Sequence, residues 1–209
     1  GIGGGEGRIW CGGLVERMPR LVPLPEDWEV EKLEFQKDIE KKRDKVRKGR
    51  KDDTPWDVML EVCRERGVFE RSRVTKADKS GNRSSINRQM EKRLYLLLKR
   101  ARDDEATDGQ WGFPVAELRE GETMRAAADR SVADTLPKVR VYTLSNCPDC
   151  VVAGRIPDSK VFLFRSYHLE GRPVVGDDIE EFVWVTKDEM AEYLPSDLYA
   201  EVCDVLVHH

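Results

Sequence analysis

No stretch of this 209-residue chain is apolar for long enough to cross a bilayer as a helix; the longest run, Leu94 to Leu98, has the length of a strand. A membrane partner is therefore not expected. Cysteine is scarce as well. The five residues at positions 11, 63, 147, 150 and 203 are too few to staple a fold of this size, which points to a reducing, intracellular compartment. No Ser-His-Asp triad can be argued from three histidines, because order in a sequence gives no geometry. The chain starts at Gly1 rather than Met, which suggests processing or trimming, with any targeting peptide already gone.

What is present is charge. Charged residues make up 36% of the chain and apolar ones 39%, a polar balance that still allows a core. The length allows one good-sized domain with an appendage. The net charge of −4 conceals a split. Residues 1–100 carry 25 Lys and Arg against 18 Asp and Glu, whereas residues 101–209 carry 11 against 22. A basic limb on an acidic body is a common arrangement for meeting nucleic acid, although a mixed-charge helix can equally be a solvated face.

The limb is organised as follows. Arg8 to Val15 (RIWCGGLV) reads as a strand at a flexible, glycine-rich terminus, pairing with a sheet edge. A phosphate-binding loop is excluded there, because Pro19, Pro23 and Pro25 prevent the helix start it would need. Residues 26–48 read as a long helix. Trp28, Phe35, Ile39 and Val46 follow at steps of 7, 4 and 7 residues and so share one narrow stripe, each within about 20° of Trp28 at the roughly 100° per residue of a helix. A stripe that thin suits a partner helix or groove better than a core. The helix end is strongly basic: Lys41, Lys42, Arg43, Lys45, Arg47, Lys48, Arg50 and Lys51 surround the single acid Asp44. This run is a candidate contact for RNA or an acidic partner, or else a solvated helix end whose cations favour the dipole. Thr54-Pro55 begins a second helix with Trp56, Met59, Leu60 and Cys63 inward, stopped by Gly67. Residues 68–90, rich in turn formers, read as a basic arm that a partner would order.

From Arg93 the pattern becomes that of a compact domain, so a boundary is placed between an N-terminal region, 1–92, and a body, 93–209. Strands are expected over Arg93–Lys99, Lys138–Leu144, Lys160–Tyr167 and Glu181–Val185, with helices after Thr186 and Ser196. Between the first two strands lies WGFPVAELREGETMRAAADRSVADTL. A short apolar run broken by Pro114 leads to a charged Gly121 turn, and Thr123 then caps a helix with Met124, Ala127, Ala128 and Val132 on one face.

A strand, a Gly-Glu loop and this helix resemble a Nudix box. Gly121-Glu122 and Arg130 fall on the Gly-Glu and Arg of that pattern. Its opening Gly falls on Ala116, its first catalytic Glu on Ser131, and its closing Glu pair on Asp134 and Thr135. The Nudix reaction needs carboxylates one helical turn apart to hold divalent cations against a diphosphate. Here two of those positions carry uncharged hydroxyls and the third a shortened acid, so the fold signature remains and the metal site does not. No cofactor is expected.

Taken with RIWCGGLVER, NRQMEKRLYLLLK, VFLFRSYHLEG and FVWVTKDEMAEYL, the same stretch resembles the Nudix-fold family of mitochondrial large-subunit ribosomal proteins. That resemblance implies an α+β fold, an α/β/α sandwich around a mixed sheet, preceded here by a helical basic extension. It also implies a non-catalytic structural block in the central protuberance of the mitochondrial ribosome. Its partners would be neighbouring ribosomal proteins, with limited contact to ribosomal RNA and no small-molecule substrate. The competing reading is a metal-dependent Nudix diphosphohydrolase with an altered site, and a third is a nucleotide-binding regulator that has lost cleavage. Cys147-Pro-Asp-Cys150 has the spacing of half a zinc site or of a redox pair, against the plainer reading of a loop. His168 reads as a half-buried histidine at a strand end.

Overall fold

A computed structural model of the chain describes residues 8–21, 28, 31–32, 35–36, 38–39, 42–43, 74–100, 110–153, 159–175 and 179–207. Its strands are β1 (Arg8–Arg17), β2 (Leu94–Arg100), β3 (Trp111–Gly112), β4 (Val115–Glu117), β5 (Val139–Thr143), β6 (Cys150–Ala153), β7 (Ser159–Gly171) and β8 (Ile179–Val185). The helices are α1 (Lys76–Ser80), α2 (Met124–Thr135), α3 (Lys187–Met190) and α4 (Ser196–Val202), followed by a 3-10 turn, Cys203–Val205.

All eight strands join one mixed sheet along the path β3-β2-β1-β7-β5, with β4 beside β1, β6 beside β7 and β8 beside β2. The β1–β7 ladder is parallel, from Arg8 opposite Ser159 to Glu16 opposite Tyr167, and every other pairing is antiparallel. The expectation that β1 pairs at a sheet edge is corrected here: it lies in the middle and is buried from Trp10 to Arg17. The expected boundary at 92/93 would detach this central strand from its sheet. The chain divides instead into one compact unit formed by Gly1–Leu21 with Val74–His209, and a second formed by Val22–Arg73.

Both faces of the sheet are covered, which is why β2 reads as an unbroken apolar run rather than an alternation. Tyr95 and Leu97 join Leu14, Leu163, Val183 and Val185 in a core closed by Met190, Leu198, Val202 and Leu206. Leu94, Leu96 and Leu98 face the other way, packing with Val15 and Trp184 beneath Val132 of α2 and Leu136 at its C-cap. The result is the expected α+β sandwich, a mixed sheet with α2 on one face and α3 and α4 on the other.

Of the arm at 68–90, expected to need a partner for order, the described part, residues 74–90, is built into the body. Thr75 and Asp78 form a capping box at the start of α1, and Gly81 closes the helix in the left-handed region. Arg17, almost wholly buried, donates to the carbonyls of Met18, Lys92, Arg88 and Gln89. Burial first, then repulsion from Arg20 and Arg88, pulls its pKa down to about 10, so it stays cationic near neutrality and the four carbonyl dipoles stabilise that charge. Arg88 in turn bonds Glu189 at the head of α3 and the carbonyl of Trp184. Thr186 caps α3 as expected, through a reciprocal bond with Glu189. Ser196, expected to cap α4, is its first helical residue; Pro195 occupies the cap position without a side-chain bond.

Of the second unit, Trp28, Glu31, Lys32, Phe35, Gln36, Asp38, Ile39, Lys42 and Arg43 are helical and exposed. Val46, Lys41, Lys45, Arg47, Lys48, Arg50, Lys51 and the helix expected at 54–67 lie outside the described residues, as do positions 68–73.

Candidate functional site: the box loop and helix

Glycine allows this site to form. A Cβ on Gly13 would sit 2.3 Å from Val132 Cγ2, so only glycine in β1 lets α2 close onto the central strand. Its amide also donates to Pro114 O at 3.0 Å, fixing the proline that breaks β3 from β4. Ala116 follows in β4, opposite Cys11 of β1. The chain then turns through Arg119–Glu122, with Gly121 at φ +75°, a conformation that favours glycine. Thr123 accepts from Ala126 N and starts α2.

Glu122 and Arg130 face each other across this turn. Arg130 donates Nε to Oε1 at 2.9 Å and Nη2 to Oε2 at 2.8 Å, a two-pronged pair, and Nη2 also reaches Glu117 O at 2.8 Å. The Arg130 bonds pull the Glu122 carboxyl down to about 2, and the carboxylate raises Arg130 in return. This carboxylate is ionised throughout the physiological range, with both oxygens already engaged by one guanidinium.

The remaining box positions diverge. Ser131 is 1% exposed; its hydroxyl bonds Ala128 O at 2.7 Å and Pro114 O at 3.2 Å, so it points into the sheet-facing side of the helix. Thr135 is buried as well. Asp134 faces outward, its side chain 66% exposed, with Oδ2 3.9 Å from Arg130. Asp129, the other acid of α2, accepts from Thr143 Oγ1 and lies 3.8 Å from Arg125. The structure thus brings Glu122 and Arg130 together and separates Asp134 from both hydroxyl positions.

The resemblance to a Nudix box implies a divalent cation, and these residues do not fit one. Two ligand positions offer neutral hydroxyls turned into the core, and the acids of the helix are directed apart or held by cations. Among the described residues, no group of three His, Cys, Asp or Glu is placed to hold a metal ion. An open cleft of about 400 Å³ beside the loop is lined by Trp10, Arg100, Ala116, Glu117, Arg119 and Arg130. Glu117 is the acid in this lining, and Arg8 holds it at 2.8 and 3.1 Å.

The other candidate motifs settle into the sheet. Cys147 is an exposed free thiol, while Cys150 starts β6 and pairs across to Leu163. Burial, with Asp149 nearby, pushes the Cys150 thiol up to about 11, which opposes the thiolate that zinc or redox chemistry needs. His168 is half-buried in β7, its ring edge-on to Trp184 and Nε2 3.0 Å from Gly171 O; burial lowers its pKa.

Comparison with known proteins places this geometry. No family model matches the chain. Over 142 residues it is 30% identical to large ribosomal subunit protein mL46 from Mus musculus and, equally, to its counterpart from Bos taurus. The matched stretch is 63% of this chain and 49% and 50% of those relatives, so the chain spans about half the length of the curated proteins it matches. Among solved structures, a NUDIX hydrolase from Nitrosomonas europaea aligns with a TM-score of 0.42 at 20% identity, covering 53% of this chain and 61% of that one. The sequence comparison therefore leads to one relative: this chain is similar over 63% of its length to large ribosomal subunit protein mL46.

Proposed function

We propose that the chain is a structural constituent of the mitochondrial large ribosomal subunit, in its central protuberance, where a Nudix-like body serves as an interaction block and performs no hydrolysis. The observation that carries the non-catalytic part is the burial of Ser131 and Thr135. The helix face that would have to present a carboxylate cluster is spent on packing against β1 and on bonding Pro114 O. The likeness to mL46 supports the ribosomal part. Neighbouring ribosomal proteins are then the main partners, and the basic run from Lys41 to Lys51 makes the limited contact with ribosomal RNA or with acidic protein.

The test is turnover per mole of purified protein with magnesium or manganese. The panel covers nucleoside diphosphate derivatives, dinucleoside polyphosphates and capped RNA, with a Ser131→Ala, Asp134→Ala double variant as contamination control. The expected result is no turnover above that variant. Metal-dependent turnover that the double variant abolishes would restore the diphosphohydrolase reading.

A further inference from the structure

Trp28, Lys32, Phe35, Ile39 and Lys42 are all helical and all exposed, and they follow one another at steps of 4, 3, 4 and 3 residues. That is the seam of a heptad repeat, occupied by three large apolar residues and two lysines. Its borders are Glu31 and Asp38 on one side and Gln36 and Arg43 on the other, the positions that face a partner across a coiled coil. Phe35 is 66% exposed, Trp28 57% and Ile39 38%, a line of apolar surface on an otherwise charged helix.

We infer that this seam pairs, antiparallel, with a helix of another protein that carries matching apolar positions and an Asp or Glu opposite each of Lys32 and Lys42. The lysines select the occupant. In a parallel pair of identical copies, each lysine would meet itself across the seam. In an antiparallel pair with Phe35 set opposite Ile39, Lys32 would meet Lys42. Both arrangements put two like-charge contacts in a dry interface, and the register with Trp28 opposite Ile39 buries Lys32 against Phe35 with no acid, so each opposes self-association. An acid at those two positions turns both contacts into ion pairs and excludes a second copy by the same charges.

Charge along the chain sets the direction. Residues 26–40 hold seven acids and two bases, and residues 41–51 eight bases and one acid. A helix with the usual acidic start and basic end matches that order only when it runs the opposite way. The inference deepens the ribosomal reading by giving the chemistry of one neighbour. Its test in free solution fails or succeeds independently of whether the chain enters a ribosome.

The test uses the purified full chain and two fluorescent synthetic helices of about four heptads, built for antiparallel pairing. They share one apolar seam and differ only in carrying Glu or Lys opposite Lys32 and Lys42. The chain alone is expected to sediment as a monomer, and the Glu helix to bind about tenfold tighter or more than the Lys helix. Lys32→Glu with Lys42→Glu should reverse that preference. Phe35→Ala with Ile39→Ala should remove binding of both helices while the circular dichroism of the body stays unchanged. A stable dimer of the chain, equal binding of the two helices, no binding of either, or a preference that the charge swap leaves in place would each overturn the inference.

Discussion

Glu122 and Arg130 hold the box turn to its helix through charge-assisted bonds, and their behaviour with pH follows from the depressed carboxyl. An unfolded glutamate titrates near about 4.3, whereas this one titrates at about 2. The pair therefore stabilises the fold fully above the unfolded value and stops doing so as pH falls through the folded one. Carbon-detected titration should place the Glu122 midpoint near 2, and Glu122→Gln should flatten the acid limb of stability between those two values. A midpoint at the ordinary carboxylate position would mean the pair does not persist in solution. Ser131 makes the opposite point. Restoring the missing acid as Ser131→Glu places a charge among Pro114 O, Ala128 O and the sheet, and should cost on the order of 3 kcal/mol or more. Ser131→Ala should cost about 1 kcal/mol, the worth of one buried hydroxyl's bonds. Denaturant unfolding separates the two, and a Ser131→Glu variant as stable as wild type would show that this position opens to solvent.

At the scale of elements, the approach of α2 to β1 is set by Gly13. Gly13→Ala should cost about 1–3 kcal/mol by overpacking against Val132. Val132→Ala vacates that space, so the double variant should lose less than the sum of the two singles. Strict additivity in the unfolding free energies would mean the helix packs elsewhere. Much of this layer was legible in the sequence. The cap at Thr123, the apolar face of α2, and the continuous apolar run of β2 all express local rules. What was not legible depends on partners far away in the chain. The central place of β1 is decided by its parallel ladder with β7, some 150 residues on, while its own glycines read as a frayed end. The order of residues 74–92 draws on Arg17, a side chain no pattern singles out. The strand β6 begins at the last residue of the Cys-Pro-Asp-Cys turn signal and went unread because it is short and borrows its ladder from β7. Arg17→Met should strand the carbonyls the guanidinium now satisfies, at roughly 2 kcal/mol or more. Faster hydrogen exchange confined to residues 74–92 is the expected sign. Unchanged exchange there would place the order of that segment in α1 alone.

For the whole molecule, the proposed non-catalytic role rests on the buried hydroxyls of α2, Ser131 and Thr135. If the basic run beyond Ile39 meets phosphate, its share of binding falls with salt. Neutralising Lys41, Lys42, Arg43, Arg47, Lys48 and Arg50 should weaken incorporation most at low salt, the defect narrowing as salt rises, with the body's thermal unfolding unchanged. Incorporation equal to wild type at every salt concentration would leave the run as a solvated helix end. The most direct test of the central claim is sedimentation of the tagged chain in a gradient of mitochondrial extract. Co-migration with the large ribosomal subunit, resistant to a moderate salt wash, is the expected result. A free, monodisperse pool with none on the subunit would contradict it.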